Sequence, residues 1–367
     1  MGKIQGLMNK DIVSEHLREL LKFSAIINSS LEIEEIRKRA CEAIMNLVNC
    51  EAASLLLFDE QTQELYFDVA LGQKADKIKT IRLKLGQGIA GWVAEKRQAV
   101  IINDVQSDPR FFKSADEKSG FVTKTMVCLP VMIKDRLLGV IQAINKRNTV
   151  FDEYDLELLN ALSSQIAVAI ENARLYDELK QTFYEIVLAL ADTIEKRDPY
   201  TAGHTKRVME YSVKTGIELG LEKEDLEKLQ LAAILHDIGK IGIRDAILLK
   251  EEKLSDEEFK IIQNHSIYGA EILQHVRQLK DIIPGVKYHH EKFDGRGYPF
   301  GLKGKEIPII ARIIAVADTF DAMTTDRPYR KGMSREDAIE ELKNKAGSQF
   351  DPEIVEAFLK VLNKYER

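Results

Sequence analysis

The sequence predicts a multidomain chain: an α+β half built on an antiparallel sheet, a long coiled-coil connector helix, and an all-α half. Three observations carry that expectation. Strand-like segments are confined to residues 53–145, an apolar heptad runs from Leu159 to Ile194, and beyond Asp198-Pro199 the apolar spacing is almost entirely helical. At 367 residues the chain is also too long for one ordinary core.

Composition narrows the function. Hydrophobic residues are 45%, charged residues 31%, and the net charge is −6 with acids and bases interspersed. No basic block offers a groove for a nucleic-acid polymer or a face for an anionic membrane. No apolar run reaches spanning length, and Lys3, Lys10 and Asp11 interrupt any secretory leader. Cys41, Cys50 and Cys128 are widely spaced and form no CxxC, which suits reduced thiols and a cytoplasmic protein.

In chain order, Ile12, Leu17, Leu20, Leu21, Ile26 and Ile27 space a helix over 10–29, with His16 on its surface, and Ile33–Val48 predicts a second. Strands are expected at Ala53–Phe58, Glu64–Ala70, Ile78–Leu83, Val100–Asn103, Met126–Ile133 and Leu137–Asn145. The last two flank Lys134-Asp135-Arg136 and form a hairpin. Gly86-Gln87-Gly88-Ile89-Ala90-Gly91 has the GxGxxG spacing, with Asp104 beyond it, but the antiparallel setting argues for a glycine turn into a short helix over a dinucleotide site.

Leu162, Ile166, Ala169, Ala173, Tyr176, Lys180, Phe183, Val187, Leu190 and Ile194 step by three and four. Such a seam predicts one continuous helix on the order of 50 Å long, and a parallel homodimer. The competing reading is two amphipathic helices, each closing its own domain.

Helices are then expected at His204–Gly216, Lys223–His236, Asp256–Gln263, His265–Gln274, Leu279–His290, Pro308–Asp318, Arg335–Lys345 and Pro352–Tyr365. Ser255, Ser334 and Pro352 mark starts. Of the seven histidines, only His16 lies in the first half. His204, His236, Asp237, His265, His289, His290 and Asp318 fall on five different helical segments, at or near apolar stretches. A carboxylate ending a run such as Ile313–Ala317 is costly to bury unless something pairs it, and metal ions would do so. His275 reads as a surface histidine. Five imidazoles and two carboxylates exceed one ion, so two divalent ions are expected, with Asp237 bridging. A donor set without thiolate favours iron, then manganese, with zinc third.

Lys240 shares a helix face with His236 and Asp237 and offers a point charge for phosphate; a helix-end lysine is its plainer role. Arg327 and Arg330 suit phosphate contacts, or form a solvated pair. Gly295 and Gly297 let backbone approach a ligand.

Two resemblances attach to these stretches. Leu85–Val105, Thr125–Lys146 and Phe151–Leu175 resemble a GAF domain, over about residues 16–175. That implies a six-stranded antiparallel sheet with helices on one face and a pocket on the other. Some such domains bind cyclic nucleotides. Asn145-Lys146, Phe151 and Asp155 match their motif in part, but Leu156 replaces its Glu, so the small ligand stays unassigned. The domains are set at 1–175, a connector at 152–196, and 183–367.

The second half resembles an HD-GYP domain, a subgroup of the HD phosphohydrolases. The motifs are His236–Lys240, His289–Pro299, Ile307–Ile313, Val316–Met323 and Asp326–Arg330. The resemblance implies a phosphodiesterase that hydrolyses cyclic di-GMP to linear pGpG, in some members on to GMP. It makes His204, His236, Asp237, His265, His289, His290 and Asp318 the metal ligands. Asp237 and Lys240 become catalytic, and Asp198, Lys240, Gly297, Tyr298, Arg327 and Arg330 become substrate contacts. Tyr200 stands where some members carry a Glu that supports a third metal, so a binuclear site is expected. The alternatives are a non-catalytic cyclic di-GMP receptor and a hydrolase of another cyclic dinucleotide.

Overall fold

A computed structural model describes residues 22, 25, 30, 32–72, 80–197, 203–250, 252–326 and 331–365. The helix expected over 10–29 lies outside them except for residues 22 and 25, which are helical, and the beginning of the strand expected at Ile78 lies outside them too. The chain divides into two compact units, Met1–Lys180 and Gln181–Arg367.

In the first unit a helix, Ile33–Leu47, precedes strands β1 (Cys50–Asp59) and β2 (Glu64–Leu71). Then come β3 (Arg82–Lys84), a helix Gly88–Lys96, β4 (Val100–Ile102), a short helix Ser114–Ser119, β5 (Met126–Ile133) and β6 (Arg136–Lys146). Among the described residues these strands form one sheet in the order β3-β2-β1-β6-β5-β4, antiparallel throughout. A dinucleotide fold needs parallel strands, so the GxGxxG reading as a glycine turn holds. Gly86 and Gly88 sit at φ +78° and +70°, and a Cβ on Gly91 would fall 2.4 Å from the Lys84 carbonyl.

Both sheet faces are buried, because strand side chains alternate. Leu55 and Leu57 pack with the helix Ile33–Leu47, while Leu56 packs beneath Ile89 and Val93 on the other side. That second face holds a largely apolar cavity, partly open to solvent, walled by Phe67, Phe111, Phe112 and Phe121. It shares its face with the helix Gly88–Lys96, so helices lie on both sides of the sheet. Ser54 and Gln142, direct partners across β1 and β6, are polar points in its wall.

The partial cyclic-nucleotide motif is not part of that cavity wall. Asn145 accepts the Lys124 and Thr125 N–H groups, Lys146 pairs with Asp155, and the Phe151 backbone is held by Asn103. These bonds tie the end of β6 to the segment entering β5 and to the start of the next helix.

That helix runs unbroken from Glu153 to Arg197, on the order of 65 Å at 1.5 Å per residue. The expected seam is largely consumed within the units. Leu162, Ile166, Ala169 and Ala173 are buried in the first unit's core, and Val187 and Ile194 in the second's. The heptad therefore reflects two cores served by one helix. Val168, Leu175, Leu179 and Ile186, off the seam, are exposed together with its member Leu190 and make an apolar stripe, with Leu179 68% exposed.

The second unit is helical. His204–Glu218, Lys223–Leu235, His265–Leu273, Ile309–Thr324 and Pro352–Tyr365 surround a core that includes Leu229, Ile313, Phe320 and Phe358. Ser255 caps the helix Asp256–Gln263 through a reciprocal box with Glu258. The helix expected to stop at Asp318 continues to Thr324, because Phe320 and Met323 extend its buried face. Leu279–His290 is instead a 3-10 segment, Arg277–Ile282, followed by a helix, Ile283–Tyr288.

Candidate metal centre

Four segments deliver histidines to one place. His204 opens its helix, His236 follows the end of Lys223–Leu235, His265 opens another helix, and His289 and His290 follow Ile283–Tyr288. Convergence depends on Gly239. The 3-10 turn Ile238–Gly242 lies against the helix bearing His265, and a Cβ on Gly239 would fall 1.8 Å from the His265 carbonyl oxygen. Only a residue without Cβ permits that approach.

The imidazoles are oriented from behind. Nδ1 of His236 donates to the Ala233 carbonyl at 2.7 Å, that of His265 to Ile262 at 2.7 Å, and that of His289 to Val286 at 2.6 Å. A carbonyl only accepts, so each Nδ1 carries a proton and each ring turns its Nε2 inward. His204 donates its Nδ1 to Asp321 Oδ2 at 2.7 Å. The Nε2 atoms of His204 and His236 lie 3.4 Å apart, as do those of His265 and His289. Nitrogens turned toward one another at that distance, with carboxylate oxygens beside them, form a donor set that fits metal.

Asp237 lies at the centre. Its Oδ2 is 3.5 Å from His236 Nε2 and 4.0 Å from His204 Nε2, and its Oδ1 is 3.5 Å from His265 Nε2. Asp318 Oδ1 is 3.4 Å from His204 Nε2. Donor atoms lie within 4.8 Å of one another in three sets: His204 with His236 and Asp318, His265 with His289 and His290, and His236 with Asp237 and His289. The seven residues named as ligands are thus brought together.

Electrostatics follow from burial. Burial opposes ionisation of Asp237, yet Lys240, with Nζ 2.8 Å from Oδ2, and then the surrounding imidazoles hold its carboxyl well below the usual range. Burial, then the neighbouring imidazole of His290, keeps His289 neutral far below its ordinary value, and burial takes His290 down to about 3. His204 is the exception. Burial pushes it down, but the Asp321 hydrogen bond and the Asp318 and Asp237 charges outweigh that and raise it.

The loop after His290 is folded tightly. Glu291, 3% exposed, accepts the N–H groups of Phe300, Gly301 and Leu302 at 2.8, 3.1 and 3.1 Å. Gly297 tolerates no side chain, since a Cβ would sit 2.2 Å from the Lys292 nitrogen. The turn brings Tyr298 against His290, ring centroids 4.8 Å apart, and burial, then Asp318 and Asp237, keeps its phenol protonated.

Asp198, Arg327, Arg330 and Tyr200 lie outside the described residues. Sequence reasoning missed Asp321, which is 2% exposed and is held by Arg207 besides His204. Its signal was available: it lies one helical turn after Asp318, on the same buried face. Glu291 had no such signal, because its partners are backbone amides about ten residues on.

Comparison with known proteins finds one family model in each unit. Residues 189–354 match the model of the HD domain, and residues 30–171 that of the GAF domain. The chain is 40% identical over 237 residues to a cyclic di-GMP phosphodiesterase of Thermotoga maritima, covering 63% of each protein. It is 39% identical over 209 residues to 3'3'-cGAMP-specific phosphodiesterase 2 of Vibrio cholerae serotype O1, covering 56% of this chain and 40% of that one. The chain therefore spans about half the length of the curated relatives it matches. Among solved structures, the GAF domain from Acinetobacter phosphoenolpyruvate-protein phosphotransferase is 21% identical with a TM-score of 0.40, covering 45% of this chain and 98% of that one. No described helix is long and apolar enough to cross a membrane.

Proposed function

From a chain that carries a GAF domain followed by an HD domain, we propose a sensor-regulated, metal-dependent phosphodiesterase that hydrolyses cyclic di-GMP to linear pGpG. The observation that carries this reading is Asp237, whose one oxygen faces His265 while the other faces His204 and His236. A carboxylate so placed suits a bridge between two cations. His204, His236 and Asp318 would complete one coordination sphere, and His265, His289 and His290 the other. Their imidazole and carboxylate chemistry favours iron, then manganese, over zinc.

When bound, divalent cations supply Lewis acidity, lowering the pKa of water and carrying charge on the phosphate. The chain supplies the rest. Asp237 holds the two halves together, and Lys240 brings a positive charge to the same edge for a phosphate oxygen. Tyr298, a neutral phenol, offers a hydrogen bond, and the Gly297 turn shapes the wall. Asp198, Arg327 and Arg330 are the further contacts we assign to substrate. The relatives' names support cyclic di-GMP first and make 3'3'-cGAMP the competing substrate.

The cavity of the first unit supports a small-ligand sensor. Its wall is mostly aromatic and aliphatic, with Ser54, Asp116, Thr123 and Gln142 as polar points, and the Gln142 amide nitrogen faces sulfur, Met126 at 3.5 Å and Cys128 at 3.9 Å. For the parallel homodimer, the exposed stripe from Val168 to Leu190 is the available face.

The test is metal content and turnover of protein purified without oxygen, on cyclic di-GMP and on 3'3'-cGAMP, beside the double variant His236→Ala with Asp237→Ala. Two ions per chain and release of pGpG, both lost in the variant, are expected. Tight binding of cyclic di-GMP without turnover would make the protein a receptor instead.

A further inference from the structure

The helix His204–Glu218 begins without a cap of its own. Gly203, which precedes it, has φ +73° and offers no side chain, so the first backbone N–H groups must find acceptors elsewhere. Glu195, near the end of the long helix, provides them: Oε2 accepts the Gly203 N–H at 3.0 Å, and Oε1 accepts that of Thr205. The residue between is His204. A carboxylate at a helix N-terminus also opposes the helix dipole favourably.

Two residues on, Arg197 does the converse. Its guanidinium donates to the carbonyls of Lys240 at 2.9 Å, of Ile241 at 3.0 Å and of Ile243, and is anchored by Asp245 at 2.7 Å. Those carbonyls end the turn that follows His236-Asp237 and carries Lys240. A cation at the carbonyl end of a helical turn is the favourable arrangement. One turn of one helix thus holds two segments of the metal centre by their backbones, one through an anion and one through a cation. Ala191, Ile194 and Glu195 of that helix wall a small cavity whose far side is His204, Asp237 and Lys240, so the helix end is not packed solid against the donors.

We propose that Glu195 and Arg197 are positioning residues, a clamp by which the connector helix sets the spacing of His204 from Asp237. A shift of the helix along or about its axis then opens the His204 half of the centre first. This rests on the binuclear reading above, and gives the sensor a physical route to the metal centre: movement of the helix that both units share.

The experiment titrates the metal-free full chain with Mn²⁺ alone, following bound ion by electron paramagnetic resonance, and separately measures kcat and KM. The variants are Glu195→Ala, Glu195→Gln, Arg197→Ala and Arg197→Lys, with Asp192→Ala as a control at an exposed position on the same helix. Expected for Glu195→Ala is one site of unchanged affinity and one weakened about 10- to 100-fold, the range for loss of a supporting contact. The kcat should fall with the weakened site and KM should move less. Glu195→Gln, which keeps one acceptor oxygen, recovers part of the affinity, and Arg197→Lys is milder than Arg197→Ala. Two sites within twofold of wild type in both alanine variants would overturn the clamp. No stoichiometric Mn²⁺ binding by wild type would instead overturn the binuclear reading beneath it. Should an alanine variant lose its helical circular dichroism, the Gln and Lys variants decide.

Discussion

His204 Nδ1 donates to Asp321 Oδ2 at 2.7 Å across 117 residues of sequence, and Arg207 grips the same carboxylate from one turn along the His204 helix. The pair fixes the tautomer of His204 and turns its Nε2 toward Asp318 and Asp237. Replacing Asp321 by Asn keeps the shape and removes the charge. Metal affinity should fall about 10- to 100-fold, with activity largely restored by excess metal. Metal titration of Asp321→Asn checks this, and unchanged affinity would remove Asp321 from the centre's support.

Lys240 meets Asp237 through an ammonium, which brings a charge and no lone pair for a metal. Lys240→Met should therefore retain both ions while kcat drops about 10²- to 10³-fold, as when one preorganised electrostatic contact to a reacting group is lost. Metal analysis beside steady-state kinetics separates the two effects. Loss of metal in this variant would make Lys240 structural.

The buried histidines make the metal-free protein acid-sensitive. His265, His289 and His290 all have folded pKa values depressed first by burial, His290 to about 3. Above their ordinary pKa of about 6.5 they are neutral folded and unfolded, so they contribute nothing. Below it the unfolded chain takes up protons that the folded chain refuses, and stability falls as pH falls. His204, whose folded value is raised, opposes this with one group against three. Asp237 and Asp321, both depressed, add to the loss below about pH 4. Denaturant midpoints of metal-free protein should decline steadily from pH 7 to pH 4, and a flat profile would contradict the burial of neutral imidazoles.

Gly239→Ala should destabilise the second unit by about 3 kcal/mol, since the added methyl meets backbone that cannot yield. Thermal unfolding checks the loss, with a shift of roughly 6–12 °C expected. Gly220→Ala is an informative contrast: nothing lies within 4 Å of its Cβ, so only its φ of +75° penalises it.

The exposed stripe makes a separate prediction for assembly. Leu179→Glu with Ile186→Glu should convert a dimer to a monomer in sedimentation without lowering the unfolding temperature. Leu162→Glu should unfold the first unit instead, because Leu162 lies in its core. A dimer that survives the first pair would move the interface off the helix.

Much of this was legible in the chain itself. Period-two and period-3.6 patterns located the strands and most helices, because each element must bury a face whichever neighbour covers it. The candidate ligand set was legible because adjacent imidazoles and carboxylates ending apolar runs have few uses other than metal. Where the seam of Leu162 and Ile166 points was not, since periodicity reports that a face is buried and never against what. Nor were Asp321, Glu195 and Arg197 assigned. Their partners are an imidazole 117 residues away and backbone groups of other segments, and backbone groups leave no mark on the sequence. What the sequence determined by itself was which side chains are too costly to bury without an ion. Only the tertiary structure decided which carboxylate orients His204 and which helix holds the centre together, because those depend on distances that the chain sets only when its helices pack.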